Sequence, residues 1–256
     1  MKLCPYLSHE YPLRFAHRGS RILWPENTMV AFQGAVDLGF RYIETDLHMT
    51  RDGFLVTFHD DRLERVTDGT GLVKDWNWHD LRLLDAAFHF KPGENFSLRG
   101  QGIGIPTLEE AMTTFPDVMF NIDLKQAGIE QAVVDFIRRF GFEERVLIAS
   151  FYDKRIRRCR RLLGSRAATS AGRLEAAAVW AYSRFNRSLK IPADAVQVPL
   201  RKGCLTVVDE KMIWAVHAAG MQVHVWTIND PAEMHRLLEL GVDGIITDRP
   251  DLLGAC

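Results

Sequence analysis

The sequence predicts a (β/α)8 barrel with a β-hairpin return after its second strand and an inserted segment before its third β/α unit. Three observations predict it. The chain has 256 residues, the usual size of one such barrel domain. Short β-rich runs alternate with helical segments along almost the whole length, the pattern of a parallel sheet with helices outside it. One strand candidate in excess of eight follows its predecessor too closely for a parallel crossover, so it must return antiparallel.

The strand candidates, in order, are LRFAH (13–17), YIETDLHM (42–49), FLVTFH (54–59), VMFNIDLK (118–125), VLIAS (146–150), AATS (167–170), AVQV (195–198), QVHVW (222–226) and GIIT (244–247). Six helical segments lie among them: ENTMVAFQGAVDLG, TLEEAMTTF, GIEQAVVDFIRRFG, DKRIRRCRRLLG, DEKMIWAVHAAG and PAEMHRLLELG. Several end in Gly, as helix C-termini do, and two begin after Asn27 or Asn229-Asp230, good N-cap residues. Thr50 to Gly53 alone separates the second candidate from the third. Asp52-Gly53 is a strong two-residue hairpin signal, because both central residues of a type I′ turn need positive φ. Such a turn pairs Arg51 with Phe54 and, counting back, sets Asp46 opposite His59. Glu44 lies two residues from Asp46 and shares its face.

Residues 62–105 read as an insertion within a single domain spanning 1–256. A long segment of this kind over one face of a barrel is commonly a lid or a binding loop. The formal net charge of -1 provides no global field to recruit nucleic acid or an anionic membrane, so an anionic ligand needs a local site. Four cysteines without a CxxC pair argue against a zinc knuckle or a disulfide framework and suit a reducing, cytoplasmic setting. No apolar run has the length of a signal peptide or a transmembrane helix.

Glu44 and Asp46 inside an apolar strand are costly unless paired or bound to a metal. Tyr42, Glu44, Asp46 and His48 occupy one face, while Ile43, Thr45, Leu47 and Met49 occupy the other. Asp123, two residues before Lys125 at the end of a later strand, is a third carboxylate of this kind. Such hard oxygen ligands suit Mg2+ or Ca2+ better than zinc. His17 closes the first strand and His59 the hairpin, positions that in a barrel lie at the C-terminal mouth where catalytic groups gather. Two histidines, a carboxylate metal site and the fixed cations Arg18 and Lys125 suit phosphoryl chemistry.

With these residues in view the sequence resembles the glycerophosphodiester phosphodiesterase family. The family's run HRG, PENT, ExD, TxDG and HD appears in order as His17 to Gly19, Pro25 to Thr28, Glu44/Asp46, Thr50 to Gly53 and His59-Asp60. IPTLEEAM (105–112), NIDLK, ASF (149–151), VWTIND (225–230) and GIITDRP (244–250) extend the likeness over nearly the whole chain. The resemblance implies a TIM-barrel phosphodiesterase that uses one divalent cation, Mg2+ or Ca2+. It implies Glu44, Asp46 and Asp123 as metal ligands, His17 and His59 as the acid/base pair, and Arg18 and Lys125 on the phosphate oxygens. The family more often has Glu where Asp123 stands, and the shorter side chain lengthens that coordination or admits a water. Trp226 is expected at the substrate-binding mouth together with Asn27; a core aromatic and a helix cap are the alternatives.

The expected reaction is hydrolysis of a glycerophosphodiester to glycerol 3-phosphate and an alcohol. Lysophospholipase D-like cleavage of a lysophospholipid is the alternative, with Phe88, Phe90, Phe96 and Ile103 of the insertion offering apolar surface to an acyl chain or packing as a satellite core. Non-catalytic binding of phosphodiesters or lipids is less favoured, because both histidines and all three carboxylates are present. The arginine-rich DKRIRRCRRLLG, 153–164, reads as a solvated helix face rather than a lipid-docking one.

Overall fold

Strand β1 (Leu13–His17) leads through the turn at 18–28 into helix α1 (Met29–Asp37), and the chain returns as β2 (Tyr42–Met49). The computed structural model describes residues 4–8, 11–93 and 95–254. After β2 come the short β3 (Leu55–Thr57), a 3-10 turn at Val73–Asp75, α2 (Trp78–Leu81) and α3 (Leu108–Thr114). The barrel then continues as β4 (Met119–Leu124), α4 (Glu130–Phe140), β5 (Val146–Ala149), α5 (Asp153–Leu163), β6 (Ala168–Thr169), α6 (Arg173–Ser183) and β7 (Ala195–Pro199). A small hairpin of β8 (Arg201–Lys202) and β9 (Leu205–Thr206) precedes α7 (Glu210–Ala218), β10 (Gln222–Trp226), α8 (Pro231–Glu239), β11 (Gly244–Thr247) and α9 (Pro250–Leu253).

Eight parallel strands run β6-β5-β4-β2-β1-β11-β10-β7, with β3 antiparallel on β2. A parallel bridge between Ser170 and Ala195 joins the two ends and closes the (β/α)8 barrel. Inside it, side chains alternate as the strand period of two demands. Leu13, Phe15, Tyr42, Met119 and Leu147 fill the floor, with Tyr6 and Leu7 of the N-terminal segment packed beneath them. The opposite faces of the same strands meet the helices in a larger core that includes Ile43, Leu47, Phe120, Ile122, Val196 and Ile245.

Three expectations require correction. The β2–β3 loop has three residues, Arg51 to Gly53, and not two. Thr50 N donates to Phe54 O at 2.9 Å, Gly53 N donates to Thr50 O at 3.1 Å, and Gly53 alone of the loop takes positive φ, 91°. That is a turn followed by a left-handed glycine bulge, and the extra residue shifts the register by one. Leu47 therefore pairs with Thr57, and Asp46 O accepts from Phe58 N at 3.0 Å, so Asp46 is not opposite His59. The α1 cap is Thr28, whose Oγ1 accepts from Ala31 N, and not Asn27. Helix α6 was absent from the six helical segments, although Asp230 caps α8 through Glu233 N as expected. On α5, Ile156, Cys159 and Leu163 are buried, and Arg160 grips Glu175 at 2.8 Å. Cys4, Cys159 and Cys204 are free thiols, while Cys256 lies outside the described residues. Among the described residues no helix is long and apolar enough to cross a membrane.

Candidate active site

The parallel register assembles the site. His17 pairs with Glu44, Glu44 with Asn121, and Asp46 with Asp123, all pointing into the barrel mouth at the C-terminal ends of β1, β2 and β4. One cavity of about 840 Å3 is lined by His17, Arg18, Glu44, Asp46, His59, Asp123, Lys125 and Trp226, so every site residue expected from the sequence meets there. His59 reaches it from just beyond β3, despite the register shift, because that strand ends at Thr57.

The turn after β1 is held in an unusual shape. Arg18, Gly19 and Asn27 all have left-handed φ. A Cβ on Gly19 would lie 2.6 Å from the α1 backbone at Ala31, so only glycine allows this approach. The turn buries Arg18, whose Nε is 3.0 Å from Asp46 Oδ2 and whose Nη1 donates to Glu26 Oε1 at 2.8 Å. Asn27 Nδ2 donates to the same Asp46 Oδ2 at 2.9 Å, and its Oδ1 accepts from Thr45 Oγ1 at 2.8 Å. Asn27 thus steers a site carboxylate and does not cap the helix.

Each histidine is gripped at Nδ1 by a carboxylate. His17 Nδ1 is 2.6 Å from Asp248 Oδ1, and His59 Nδ1 is 2.5 Å from Asp60 Oδ1. Both rings are thereby left with Nε2 as the nitrogen not held by its carboxylate; that of His17 is 3.7 Å from Glu44 Oε2. Asp248 is fully buried, and its other oxygen accepts from Arg21 Nε at 2.9 Å and Asn229 Nδ2 at 3.1 Å. Burial opposes its charge, but His17, Asn229 and Arg21 hold its carboxyl down at about 2. Burial pulls His17 down, yet Glu44 and Asp248 outweigh it and leave its pKa raised. Burial, together with repulsion from Arg18 and Lys125, lowers that of His59 although Asp46 opposes the shift.

Arg65 ties the second histidine to the first cation. Its Nε donates to Asp60 Oδ2 at 2.5 Å, and its Nη1 and Nη2 donate to Glu26 at 2.9 and 2.6 Å. One guanidinium therefore bridges the carboxylate that orients His59 and the one that orients Arg18.

Lys125 Nζ donates to Asp123 Oδ2 at 2.6 Å and lies 3.0 Å from Asp46 Oδ1. Burial and the Asp46 charge push Glu44 up, whereas Arg18 and Lys125 overcome burial and hold Asp46 down. Among the described residues no three His, Cys, Asp or Glu side chains stand arranged to hold an ion as they are, with Lys125 drawn between two of the carboxylates. The donor set nevertheless fits a hard cation. Glu44 Oε2, Asp46 Oδ1 and Asp123 Oδ1 are buried with no directed hydrogen bond, three anionic oxygens on neighbouring strands.

Asp248, Asp60, Glu26, Arg65 and Asn121 belong to this constellation and were not singled out from the sequence as site residues. Asn121 shares a period of two with Asp123, and Glu26, Asp60 and Asp248 stand inside the PENT, HD and GIITDRP runs, whereas Arg65 lies in none of them. None of the described residues among 62–105 lines the cavity, and Phe88, Phe90, Phe96 and Ile103 do not reach it. The insertion has its own small core instead, in which Leu63, Val73, Leu81, Ala86 and Ile105 pack on Val56 and Phe58.

A parallel (β/α)8 barrel with buried carboxylates, paired cations and two carboxylate-held histidines at its mouth suits phosphoryl chemistry, and the family match places it among the phosphoric diester hydrolases. The family model described as "Glycerophosphoryl diester phosphodiesterase family" matches residues 17–252. The chain is 42% identical over 255 residues to a probable glycerophosphodiester phosphodiesterase 2 of Mycobacterium tuberculosis, covering 97% of this chain and 91% of that one. Its fold is similar to the glycerophosphoryl diester phosphodiesterase domain of another Mycobacterium tuberculosis protein, with TM-score 0.85, 22% identity and 96% and 98% of the two chains covered. It is also similar to an Oleispira antarctica phosphodiesterase solved with the product sn-glycerol-3-phosphate, with TM-score 0.73, 25% identity and coverage of 95% and 96%. The chain belongs to the glycerophosphoryl diester phosphodiesterase family.

Proposed function

We propose that the protein hydrolyses glycerophosphodiesters to glycerol 3-phosphate and an alcohol, with His17 and His59 as its acid/base pair. The observation that carries this reading is the matched pair of histidines, each held at Nδ1 by a carboxylate and left with Nε2 for proton transfer in one cavity. His17, with its raised pKa, carries the proton given to the departing alcohol oxygen. His59, with its lowered pKa, takes a proton from the attacking hydroxyl or water. Arg18 and Lys125 meet the phosphate oxygens, and Trp226 borders the bound alcohol or glycerol. The product found in the Oleispira antarctica relative matches the glycerol phosphate half of this substrate.

Glu44, Asp46 and Asp123 would hold one divalent cation, Mg2+ or Ca2+, which supplies Lewis-acid stabilisation of charge on a non-bridging phosphate oxygen. The direct test is release of glycerol 3-phosphate from glycerophosphocholine and glycerophosphoethanolamine by purified protein with either ion. No release with any divalent ion would refute the reading. A second reading, hydrolysis of lysophospholipids, draws no support from the insertion but some from apolar side chains within the cavity itself.

A further inference from the structure

We infer that Gln197 on β7 is a specificity-determining residue, whose Oε1 is a hydrogen-bond acceptor of fixed direction for a free hydroxyl of the substrate's glycerol. His224 beneath it is the positioning residue that sets that direction. The inference rests on the phosphodiesterase reading and names the part of the substrate that the far side of the cavity reads.

The carboxylates, cations and histidines described above gather at the ends of β1 to β4. β7 lies four strands from β2 in the eight-strand order, so Gln197, which lines the cavity, faces them from across the barrel. A chain of hydrogen bonds runs from Gln197 through the core to the N-terminal segment. It starts from a group with one role only, because the Leu7 carbonyl can only accept. Gln222 Nε2 donates to that carbonyl at 3.2 Å and to Tyr11 Oη, whose own proton goes to the same oxygen at 3.2 Å. The Gln222 amide therefore turns Oε1 towards His224 Nε2, 3.0 Å away, and that nitrogen must donate. His224 is fully buried, and burial lowers its pKa to about 4 although the Asp243 charge opposes the shift. The ring is therefore neutral and bears one proton. With that proton on Nε2, Nδ1 accepts. Gln197 Nε2 lies 3.2 Å from Nδ1 and donates to it, which turns Gln197 Oε1 the other way. Among the described residues nothing donates to that oxygen. The imidazole is boxed in: its centroid is 4.9 Å from that of Phe15, and a Cβ on Gly244 would lie 2.9 Å from both rings.

A polar chain through a barrel core is costly unless each member finds its partner. Here one end stays open, and it opens into the reaction cavity. An acceptor calls for a donor. Arg173 and Lys202, which also line the cavity, offer donors only, so neither duplicates what Gln197 presents. Of the two alcohols joined in glycerophosphocholine, glycerol carries free O–H groups and choline carries none. The fixed acceptor reads the glycerol.

The test compares glycerophosphocholine with two analogues: 2-hydroxypropyl phosphocholine, which lacks the terminal hydroxyl, and 3-hydroxypropyl phosphocholine, which lacks the central one. The ratio kcat/KM is measured for all three in the unsubstituted protein, Gln197→Met and Gln197→Leu, with thermal unfolding to check that the variants fold. An acceptor enclosed by substrate but denied its donor costs a factor of roughly 5 to 150. The preference for glycerophosphocholine over at least one analogue should therefore fall at least fivefold in both variants. Preferences that stay unchanged in the folded variants overturn the inference, and so does an unsubstituted protein that prefers glycerophosphocholine to neither analogue. The direction of the amide has its own measurement, the nitrogen-15 imidazole shifts of His224 in the unsubstituted protein at neutral pH. They should report a proton on Nε2 alone. A proton on Nδ1 overturns the inference, because Gln197 would then turn its Nε2 to the cavity. Calorimetry of glycerol 3-phosphate against its two deoxy counterparts separates this inference from the reading beneath it. A preference for glycerol 3-phosphate that depends on Gln197, without hydrolysis of any diester, would sink the phosphodiesterase reading and leave the hydroxyl site standing. Hydrolysis with unmoved preferences would do the reverse.

Discussion

Replacing Asp248 by Asn separates the charge of the carboxylate behind His17 from its shape. Asp248 Oδ1 faces His17 Nδ1 at 2.6 Å, and Oδ2 accepts from Arg21 and Asn229. An asparagine can preserve one side only. With its oxygen towards His17, its NH2 confronts two donors that then lose their acceptor. With its NH2 towards His17, Nδ1 must accept, and the proton is forced onto Nε2. In both orientations the anion that stabilises the imidazolium is gone. A hydrogen bond to a charged group is worth about 1.5–3 kcal/mol, which as transition-state stabilisation is a loss of roughly 10- to 150-fold in kcat. The sign of the pH effect follows as well. The Asp248 anion, with its pKa at about 2, favours protonated His17 throughout the neutral range, so its removal lowers the His17 pKa. If His17 is the acid, the alkaline limb of the rate profile moves to lower pH. Steady-state rates on glycerophosphocholine across pH, with thermal unfolding as a control for folding, measure both effects. A kcat within threefold of the unsubstituted protein and an unmoved alkaline limb would refute the pairing argument.

Three further outcomes are expected. His17→Ala and His59→Ala should each lower turnover roughly 100-fold or more with little change in melting temperature, because both side chains sit at the mouth and not in the packed floor; an active double variant would reduce them to structural residues. Arg65→Gln should cut kcat by up to about fivefold, since this side chain is 45% exposed and its pairs are partly screened. The same change removes a positive charge near His59, so the acid limb should shift to higher pH, and a stationary limb would count against the bridge. Chelation should abolish hydrolysis and added Mg2+ or Ca2+ restore it; full turnover in excess chelator would dismiss the Glu44, Asp46 and Asp123 carboxylates as a cation site.

The barrel was legible because its strands are short apolar runs with sharp ends, and Leu13–His17, Tyr42–Met49, Gln222–Trp226 and Gly244–Thr247 form with the boundaries read from the sequence. Glu44 and Asp46 stood out because two carboxylates broke one face of such a run. The hairpin register did not follow from Asp52-Gly53, since that pair serves a two-residue turn and a three-residue bulged turn alike. Thr50 Oγ1 decides between them by donating to Asp52 Oδ1 and accepting from Phe54 N. Helix α6 escaped because RLEAAAVWAYS has no strong apolar–polar contrast: one face meets the barrel and another the cavity. Asp248 escaped for a different reason. It lies 231 residues from His17 in the chain, and only closure of β1 on β11 brings the two together.

The barrel's closure is uneven around its circumference. β2 and β4 share six register pairs, whereas β6 and β7 meet through a single bridge at Ser170 and Ala195. The long ladder fixes Glu44, Asp46 and Asp123; the brief seam lies beside α6, with Ser170 itself in the cavity wall. Variation is therefore tolerated unequally. Exchanging residues 200–207, which carry the β8–β9 hairpin at the rim, for the matching stretch of a relative would change that part of the cavity wall and leave both β7 and the β1–β2–β4 ladder untouched.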